Sequence, residues 1–118
     1  VISLHVHVTE ETKKMINIEF LNKCKESILF VNTSRGEIIN EIDLANFLSL
    51  NKSAKYATDV LSGEINGIYN NPIKQYFDEN PDQVIITPHI GGMTKEAQNI
   101  AFSHAANLLK EALLNQNL

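Results

Sequence analysis

Branched apolar residues recur in four short runs along the 118-residue chain. The runs cover residues 1–8, 27–33, 54–60 and 83–87, and their length and β-branched content predict β-strands. They are too uniformly apolar to leave one face of a sheet in water. The pattern therefore predicts a parallel sheet with helices on both sides.

Helical segments separate the predicted strands. Asn17 and Asn40 are each placed to cap such a segment. The apolar residues that follow fall on one helical face in each case: Phe20, Leu21 and Cys24 after Asn17, and Leu44, Phe47 and Leu48 after Asn40. Strands that alternate with helices predict an α/β fold.

The second half of the chain is predicted to hold a loop and a long helix besides the fourth strand. Residues 61–80 are rich in turn signals and predict a long loop, with a short amphipathic stretch through Ile73 and Phe77. A helix is predicted from Thr94, as its cap, to about residue 115. Its apolar stripe comprises Ala97, Ala101, Ala105, Leu108 and Ala112. We expect this stripe to pack on a sizeable surface.

Composition narrows the possible partners. The net charge of −4 is spread without a run of like charges, which argues against a nucleic-acid surface. No apolar stretch approaches the roughly 20 residues that cross a bilayer, so no membrane partner is expected. The single cysteine, Cys24, cannot form an internal disulfide and fits the reducing cytoplasm. A small-molecule partner is the default expectation.

Polar residues follow three of the predicted strands. The second strand runs out into residues 32–36, the third into Asp59, and the fourth into residues 87–92. The carboxyl ends of parallel strands meet at one edge, where open sheets bind ligands. Gly36, and the glycines at the end of the last segment, would allow unusual backbone conformations and close ligand approach. No spacing predicts a metal site or a covalent nucleophile.

These segments also carry a resemblance to a known family. Residues 32–41 (NTSRGEIINE), 57–60 (ATDV) with Glu64, and 87–92 (TPHIGG) are similar, in order and spacing, to signature segments of the D-isomer-specific 2-hydroxyacid dehydrogenases. The resemblance spans most of the chain and is greatest to phosphoglycerate dehydrogenases. The chain departs from the family pattern at His7 and Ile65, where the family has proline.

The resemblance implies an NAD-dependent oxidoreductase that interconverts D-2-hydroxy acids and 2-oxo acids, with Arg35, Glu64 and His89 as catalytic residues. Arg35 would grip the substrate carboxylate and the oxygen at C2, which suits a planar, permanently charged guanidinium. His89 would be the acid/base, because an imidazole exchanges protons near neutral pH. Glu64 would stabilise the protonated imidazole.

The resemblance also implies cofactor contacts, with NAD preferred over NADP as the family default. Asp59 would bind the nicotinamide carboxamide. The residues expected to line the nicotinamide side are Thr33, Ser34, Arg35, His89, Ile90, Gly91 and Gly92.

By the same resemblance, residues 1–93 are expected to be the C-terminal half of a Rossmann-type NAD-binding domain, and residues 94–118 a crossover helix towards the substrate domain. The five glycines form no Gly-x-Gly-x-x-Gly, so the pyrophosphate-binding half and most of the substrate domain are expected to precede Val1. The chain alone is then expected to be inactive, and the full-length protein to be a cytoplasmic homodimer. Two alternatives are an NAD-sensing, corepressor-type binding protein on the same fold and a nucleotide-binding module without redox chemistry.

Overall fold

The computed structural model describes residues 1–67 and 70–115, except the side chain of Asn66, and divides the chain into two units, Val1–Pro88 and His89–Leu118. The strands are β1 (Ile2–Leu4), β2 (Leu29–Asn32), β3 (Lys55–Thr58) and β4 (Val84–Ile86). The helices are α1 (Ile18–Leu21), α2 (Glu41–Leu50), α3 (Pro72–Glu79) and α4 (Lys95–Asn115), with 3₁₀ turns at Gly36–Ile38 and Glu64–Asn66.

The four strands form one sheet in the order β1-β2-β3-β4, and every neighbouring pair is parallel. A register row runs across the sheet through Ile2, Phe30, Tyr56 and Val84. The α/β fold with a parallel sheet is thereby confirmed. Because all strands point the same way, their carboxyl ends lie along a single edge.

The two faces of this sheet differ in burial. Phe30, Tyr56 and Val84 are each at most 1% exposed and belong to the main core. In the next row, which points to the opposite face, Ser3 and Ile85 are exposed at the two sheet edges. One face thus packs into the core, whereas the other is half-buried at Val31 and Ala57 and exposed on the edge strands, so the expected cover is incomplete on that face within the described residues.

Side-chain caps mark the start of two of the first three helices, α1 and α3. Asn17 accepts a hydrogen bond from the Phe20 N–H through its side chain, as predicted. Asn40 occupies the cap position of α2 but makes no side-chain capping bond there. Asn71 caps α3 by accepting from the N–H groups of Ile73 and Lys74.

The predicted loop at residues 61–80 contains more regular structure than expected. The Glu64–Asn66 turn and the two-turn helix α3 lie within it, and α3 includes the predicted amphipathic stretch through Ile73 and Phe77. Residues 68 and 69 of that loop lie outside the described residues.

The first strand is shorter than its apolar run. β1 ends at Leu4, whose register partner Asn32 is the last residue of β2. Beyond that point β2 offers no further strand to pair with residues 5–8, which the sequence had placed in β1.

In the second unit, α4 begins after Thr94, whose hydroxyl accepts from the Ala97 N–H at 3.1 Å. None of the described residues of α4 is buried, although its apolar stripe predicts packing. None of the helices in the described ranges has the length and apolar content to span a membrane.

Candidate functional site

Hydrogen bonds tie the ends of three strands together at the carboxyl edge of the sheet. The Asp59 N–H donates to the Asn32 carbonyl at 3.0 Å, and the Thr87 N–H donates to the Thr58 carbonyl at 2.9 Å. The polar residues after β2 and β3 and Thr87 after β4 therefore meet at one edge, as the sequence predicted.

The loop that carries Arg35 is organised by the buried side chain of Asn32. Its Oδ1 accepts from the Ser34 N–H at 3.0 Å, and its Nδ2 donates to the Arg35 carbonyl at 2.9 Å. The Ser34 hydroxyl donates to the Leu4 carbonyl at 2.7 Å, which ties the loop to β1. Asn32 thus fixes the backbone on both sides of Ser34.

Arg35 itself is exposed, and its Nη1 donates to the Ser34 carbonyl at 2.6 Å. Thr33, beside it, is also exposed. Among the predicted contact residues of this loop, Arg35 therefore offers a charged donor to solvent, whereas the hydroxyl of Ser34 is engaged within the fold.

Asp59 supplies a nearly buried carboxylate at the same edge. Its side chain is 8% exposed, and its Oδ1 accepts a hydrogen bond from the Thr87 hydroxyl. A carboxylate held in this way presents acceptor oxygens of the kind that a carboxamide N–H₂ needs. The sequence pattern contained Thr87 but gave no reason to pair it with Asp59.

Glu64 begins a 3₁₀ turn directly after Gly63, which has a positive φ of 77°. Its carboxylate accepts a hydrogen bond from the Leu61 N–H, and its side chain is half-buried. The carboxylate thereby closes its own segment, which we call the Glu64 segment (residues 61–66).

The Arg35 loop and the Glu64 segment touch through their backbones. A Cβ built on Gly36 would lie 2.1 Å from both the Leu61 carbonyl carbon and the Ser62 nitrogen. Only a glycine fits at this distance. The sequence had assigned Gly36 to unusual conformation or ligand approach, whereas its close neighbour is this peptide.

His89 opens the second unit and is exposed. Its φ is 53°, a left-handed conformation that non-glycine residues seldom adopt, although histidine is among the more tolerant. Gly91 and Gly92 are not among the positive-φ glycines, although the sequence suggested an unusual backbone conformation there. In this segment it is His89 that has the positive φ. A Cβ on Gly92 would have no atom within 4 Å.

A buried polar cluster behind the Glu64 segment escaped sequence reasoning. Glu41, the first residue of α2, accepts from the Ser62 N–H and from the Asn71 side chain. Burial raises the pKa of Glu41 to about 7, and the hydrogen bonds from Ser62 and Asn71 oppose that rise. The only local signal was Asn71 before Pro72, an arrangement typical of a helix start.

The described residues contain no group of three or more His, Cys, Asp or Glu side chains that could hold a metal ion.

The site is therefore the carboxyl edge of a parallel α/β sheet, where open sheets of this class bind their ligands. The family model described as "D-isomer specific 2-hydroxyacid dehydrogenase, NAD binding domain" matches residues 1–91. The chain belongs to this family.

Two relatives illustrate the similarity. The D-3-phosphoglycerate dehydrogenase of Haemophilus influenzae is 36% identical over 114 residues, which cover 93% of this chain and 27% of that protein. The hydroxypyruvate reductase of Blautia hydrogenotrophica is 37% identical over 117 residues, which cover 96% of this chain and 33% of that protein. The chain thus spans about a third or less of each relative's length.

Solved structures agree. The D-lactate dehydrogenase of Aquifex aeolicus, in complex with NAD and lactic acid, matches 96% of this chain with a TM-score of 0.73 and 26% identity. The match covers 37% of that chain. The sheet and the helices of the first unit are therefore those of an NAD-binding domain of this family.

Proposed function

We propose that this chain is the NAD-binding and catalytic part of a dehydrogenase that interconverts D-2-hydroxy acids and 2-oxo acids. The observation that carries the proposal is the backbone contact of Gly36 with residues 61 and 62. It brings the loop of Arg35 against the segment of Glu64 beside the carboxyl edge of the sheet. Family membership supplies the reaction class.

The donor and acceptor groups at this edge fit a nicotinamide. Asp59 would accept from the carboxamide N–H₂, and the Thr87 hydroxyl would hold the Asp59 carboxylate for it. The remaining contacts would come from Thr33, Ser34, Ile90, Gly91 and Gly92. When bound, NAD supplies the acceptor for the hydride that leaves C2 of the hydroxy acid.

Arg35 would bind the substrate. Its exposed guanidinium can donate two parallel hydrogen bonds to a carboxylate, and it stabilises negative charge that develops on the C2 oxygen. The bond from its Nη1 to the Ser34 carbonyl restrains the side chain before substrate arrives. Preorganised charge of this kind lowers a barrier without reorganisation during the reaction.

His89 would take the hydroxyl proton during oxidation and return it during reduction, with Glu64 stabilising the protonated imidazole. The left-handed backbone of His89 supports this assignment, because strained non-glycine residues concentrate at functional sites.

We propose a longer cytoplasmic chain that forms a homodimer, in which α4 leads to a substrate domain that covers its apolar side chains. Phe102 is 70% exposed and Ile85 on the open sheet face is 64% exposed, and large apolar exposure of this kind marks surfaces that contact other protein. The chain covers only 27% and 33% of two of its relatives, which supports a longer chain.

The proposal is tested with the full-length protein and NADH absorbance, using a panel of 2-oxo acids that starts with hydroxypyruvate and the oxidised partner of 3-phosphoglycerate. We expect consumption of NADH and a D-configured product. Calorimetric NAD binding without turnover of any panel member would instead favour the corepressor-type alternative, and neither binding nor turnover would contradict both.

A further inference from the structure

Glu41 is a buried carboxylate for which the proposed reaction has no use. It is 6% exposed, and both of its oxygens are engaged. Oε1 accepts from the Ser62 N–H at 2.9 Å, and Oε2 accepts from the Asn71 Nδ2 at 2.5 Å. Burying an ionisable group is costly unless it is hydrogen-bonded, so its placement calls for a physical reason.

Asn71 completes a closed arrangement around the Ser62 peptide. Its Nδ2 donates to the Ser62 carbonyl at 3.1 Å as well as to Glu41. Its Oδ1 accepts from the N–H groups of Ile73 and Lys74 at the start of α3. Both polar groups of Ser62's backbone are thereby held, the N–H by Glu41 and the carbonyl by Asn71.

The held residue is the one that packs against the Arg35 loop. Ser62 lies on Gly36 in backbone contact and stands two residues before Glu64. Glu41 follows Arg35 by six residues, through one 3₁₀ turn into α2. The Glu41 carboxylate, which follows the Arg35 loop in the chain, therefore binds the backbone of Ser62 in the Glu64 segment.

We propose that Glu41 is a positioning residue, whose carboxylate fixes Ser62 against Gly36 and so sets the place of Glu64 relative to Arg35. The inference rests on the proposed function for its catalytic consequence. Its structural part, the hold on the Ser62 backbone, stands independently of any activity.

The chemistry of the cluster suggests a sharp pair of variants. Glu41→Gln leaves one acceptor oxygen for two donors, the Ser62 N–H and the Asn71 Nδ2. Whichever donor the amide oxygen accepts from, the new N–H₂ faces the other donor, and two donors cannot bond each other, so the hold on Ser62 weakens. Combining Glu41→Gln with Asn71→Asp restores an acceptor opposite the new amide. The introduced carboxylate can also keep the cap of α3 and the net charge of the cluster, but one of its oxygens then faces the Ser62 carbonyl as a second acceptor, so the rescue should be partial.

Asp43→Asn is the matched control. Asp43 also lies in the first turn of α2, and its Oδ2 accepts from the Ile18 N–H at 2.9 Å. It therefore makes the same kind of carboxylate-to-backbone bond to a different segment.

The experiment measures amide hydrogen exchange of the Glu64 segment at pH 8, together with kcat and the KM for NAD, in the full-length protein. For Glu41→Gln we expect exchange at Ser62 to rise and kcat to fall, each by about tenfold, with the KM for NAD unchanged. The double variant should recover kcat to within about threefold of wild type. Asp43→Asn should leave exchange of the Glu64 segment and kcat unchanged.

Unchanged exchange at Ser62 in Glu41→Gln would overturn the inference, and so would raised exchange with wild-type kcat. Equal loss of kcat in Asp43→Asn would also overturn it, because a general loss of stability would then explain the effect. If the wild-type protein lacks NAD-dependent turnover, the proposed function fails, while the exchange data still decide whether Glu41 holds Ser62.

Discussion

Gly36 and Ser62 lie so close that a Cβ on Gly36 would sit 2.1 Å from the Ser62 nitrogen. This contact joins two loops that leave different strands, one with Arg35 and the other with Glu64. Real Cβ atoms do not approach backbone this closely, so a side chain at residue 36 would force the two loops apart.

Gly36→Ala should therefore displace one loop from the other. We expect the free energy of unfolding to fall by at least about 2 kcal/mol, because the added methyl meets backbone rather than a flexible side chain. Urea denaturation measures this. Gly92→Ala is the stability control, since its Cβ would meet nothing within 4 Å, and it should change stability by less than about 0.5 kcal/mol. Equal effects in the two variants would contradict the packing described.

Asn32→Ala should loosen the Arg35 loop. The fully buried side-chain amide of Asn32 accepts from the Ser34 N–H and donates to the Arg35 carbonyl, and the substitution removes both hydrogen bonds. We expect a loss of about 2 kcal/mol in stability and a lower kcat/KM for the 2-oxo acid. Asn46→Ala, at an exposed position of α2, is the control and should have neither effect. Wild-type kcat/KM in Asn32→Ala would show that the loop does not need this amide.

Thr87→Val should weaken cofactor binding with little effect on the chemical step. The variant keeps the shape of the side chain but removes the hydroxyl that donates to Asp59. We expect the KM for NAD to rise by about three- to tenfold, measured by initial rates. Thr87→Ser retains the hydroxyl and should stay close to wild type. An unchanged KM for NAD in Thr87→Val would show that the hydrogen bond from Thr87 to Asp59 does not contribute to cofactor binding.

Glu41 should make stability depend on pH. Its pKa is about 7 in the folded protein and ordinarily 4.5, so the folded state binds more protons between these values. The contribution of Glu41 is therefore fully present below about pH 4.5 and is lost as the pH rises through 7. Burial is the largest cause, and the nearby Glu37 and Glu64 also raise the pKa.

The measurement compares the free energies of unfolding of wild type and Glu41→Gln from pH 4.5 to pH 8. Glutamine does not titrate, so the difference between the two proteins isolates Glu41. Wild type should lose at most about 3 kcal/mol relative to the variant across this range. A difference that stays constant with pH, or one that grows in favour of wild type, would show that burial does not dominate.

Phe102→Ser tests the proposed covering of α4. If another part of the full-length protein packs on this helix, loss of the aromatic ring should lower stability by about 3 kcal/mol. Asn99→Ser, at an exposed polar position of the same helix, should change little. An effect of Phe102→Ser below about 0.5 kcal/mol would mean that the ring stays in solvent in the whole protein.

The sheet was predictable from sequence because its signal is local. Each strand lies within one of the four predicted runs, and all four runs contain a parallel strand. Strand length was not predictable for β1, because it depends on where its neighbour β2 turns away at Asn32. The open sheet face could not be inferred either, since apolar runs do not say how many helices cover them.

The site was predictable only in part. The motifs placed Arg35 and Asp59 at the carboxyl edge, where the structure has them. The contacts that organise them join distant positions, such as Glu41 with Asn71, which are 30 residues apart. Single-sequence patterns of helix and strand period carry no information about such pairs, so the pairing of Glu41 with Asn71 and that of Thr87 with Asp59 are visible only in the structure.

We propose that Arg35, Glu64 and His89 carry out the chemistry of a D-2-hydroxyacid dehydrogenase. The most direct measurement is kcat/KM of the full-length protein and of its Arg35→Ala, Glu64→Gln and His89→Ala variants, with NADH and the best 2-oxo acid. We expect losses of about a thousandfold for Arg35→Ala and His89→Ala and a smaller loss for Glu64→Gln, with NAD affinity nearly retained. Wild-type kcat/KM in both Arg35→Ala and His89→Ala would contradict the claim.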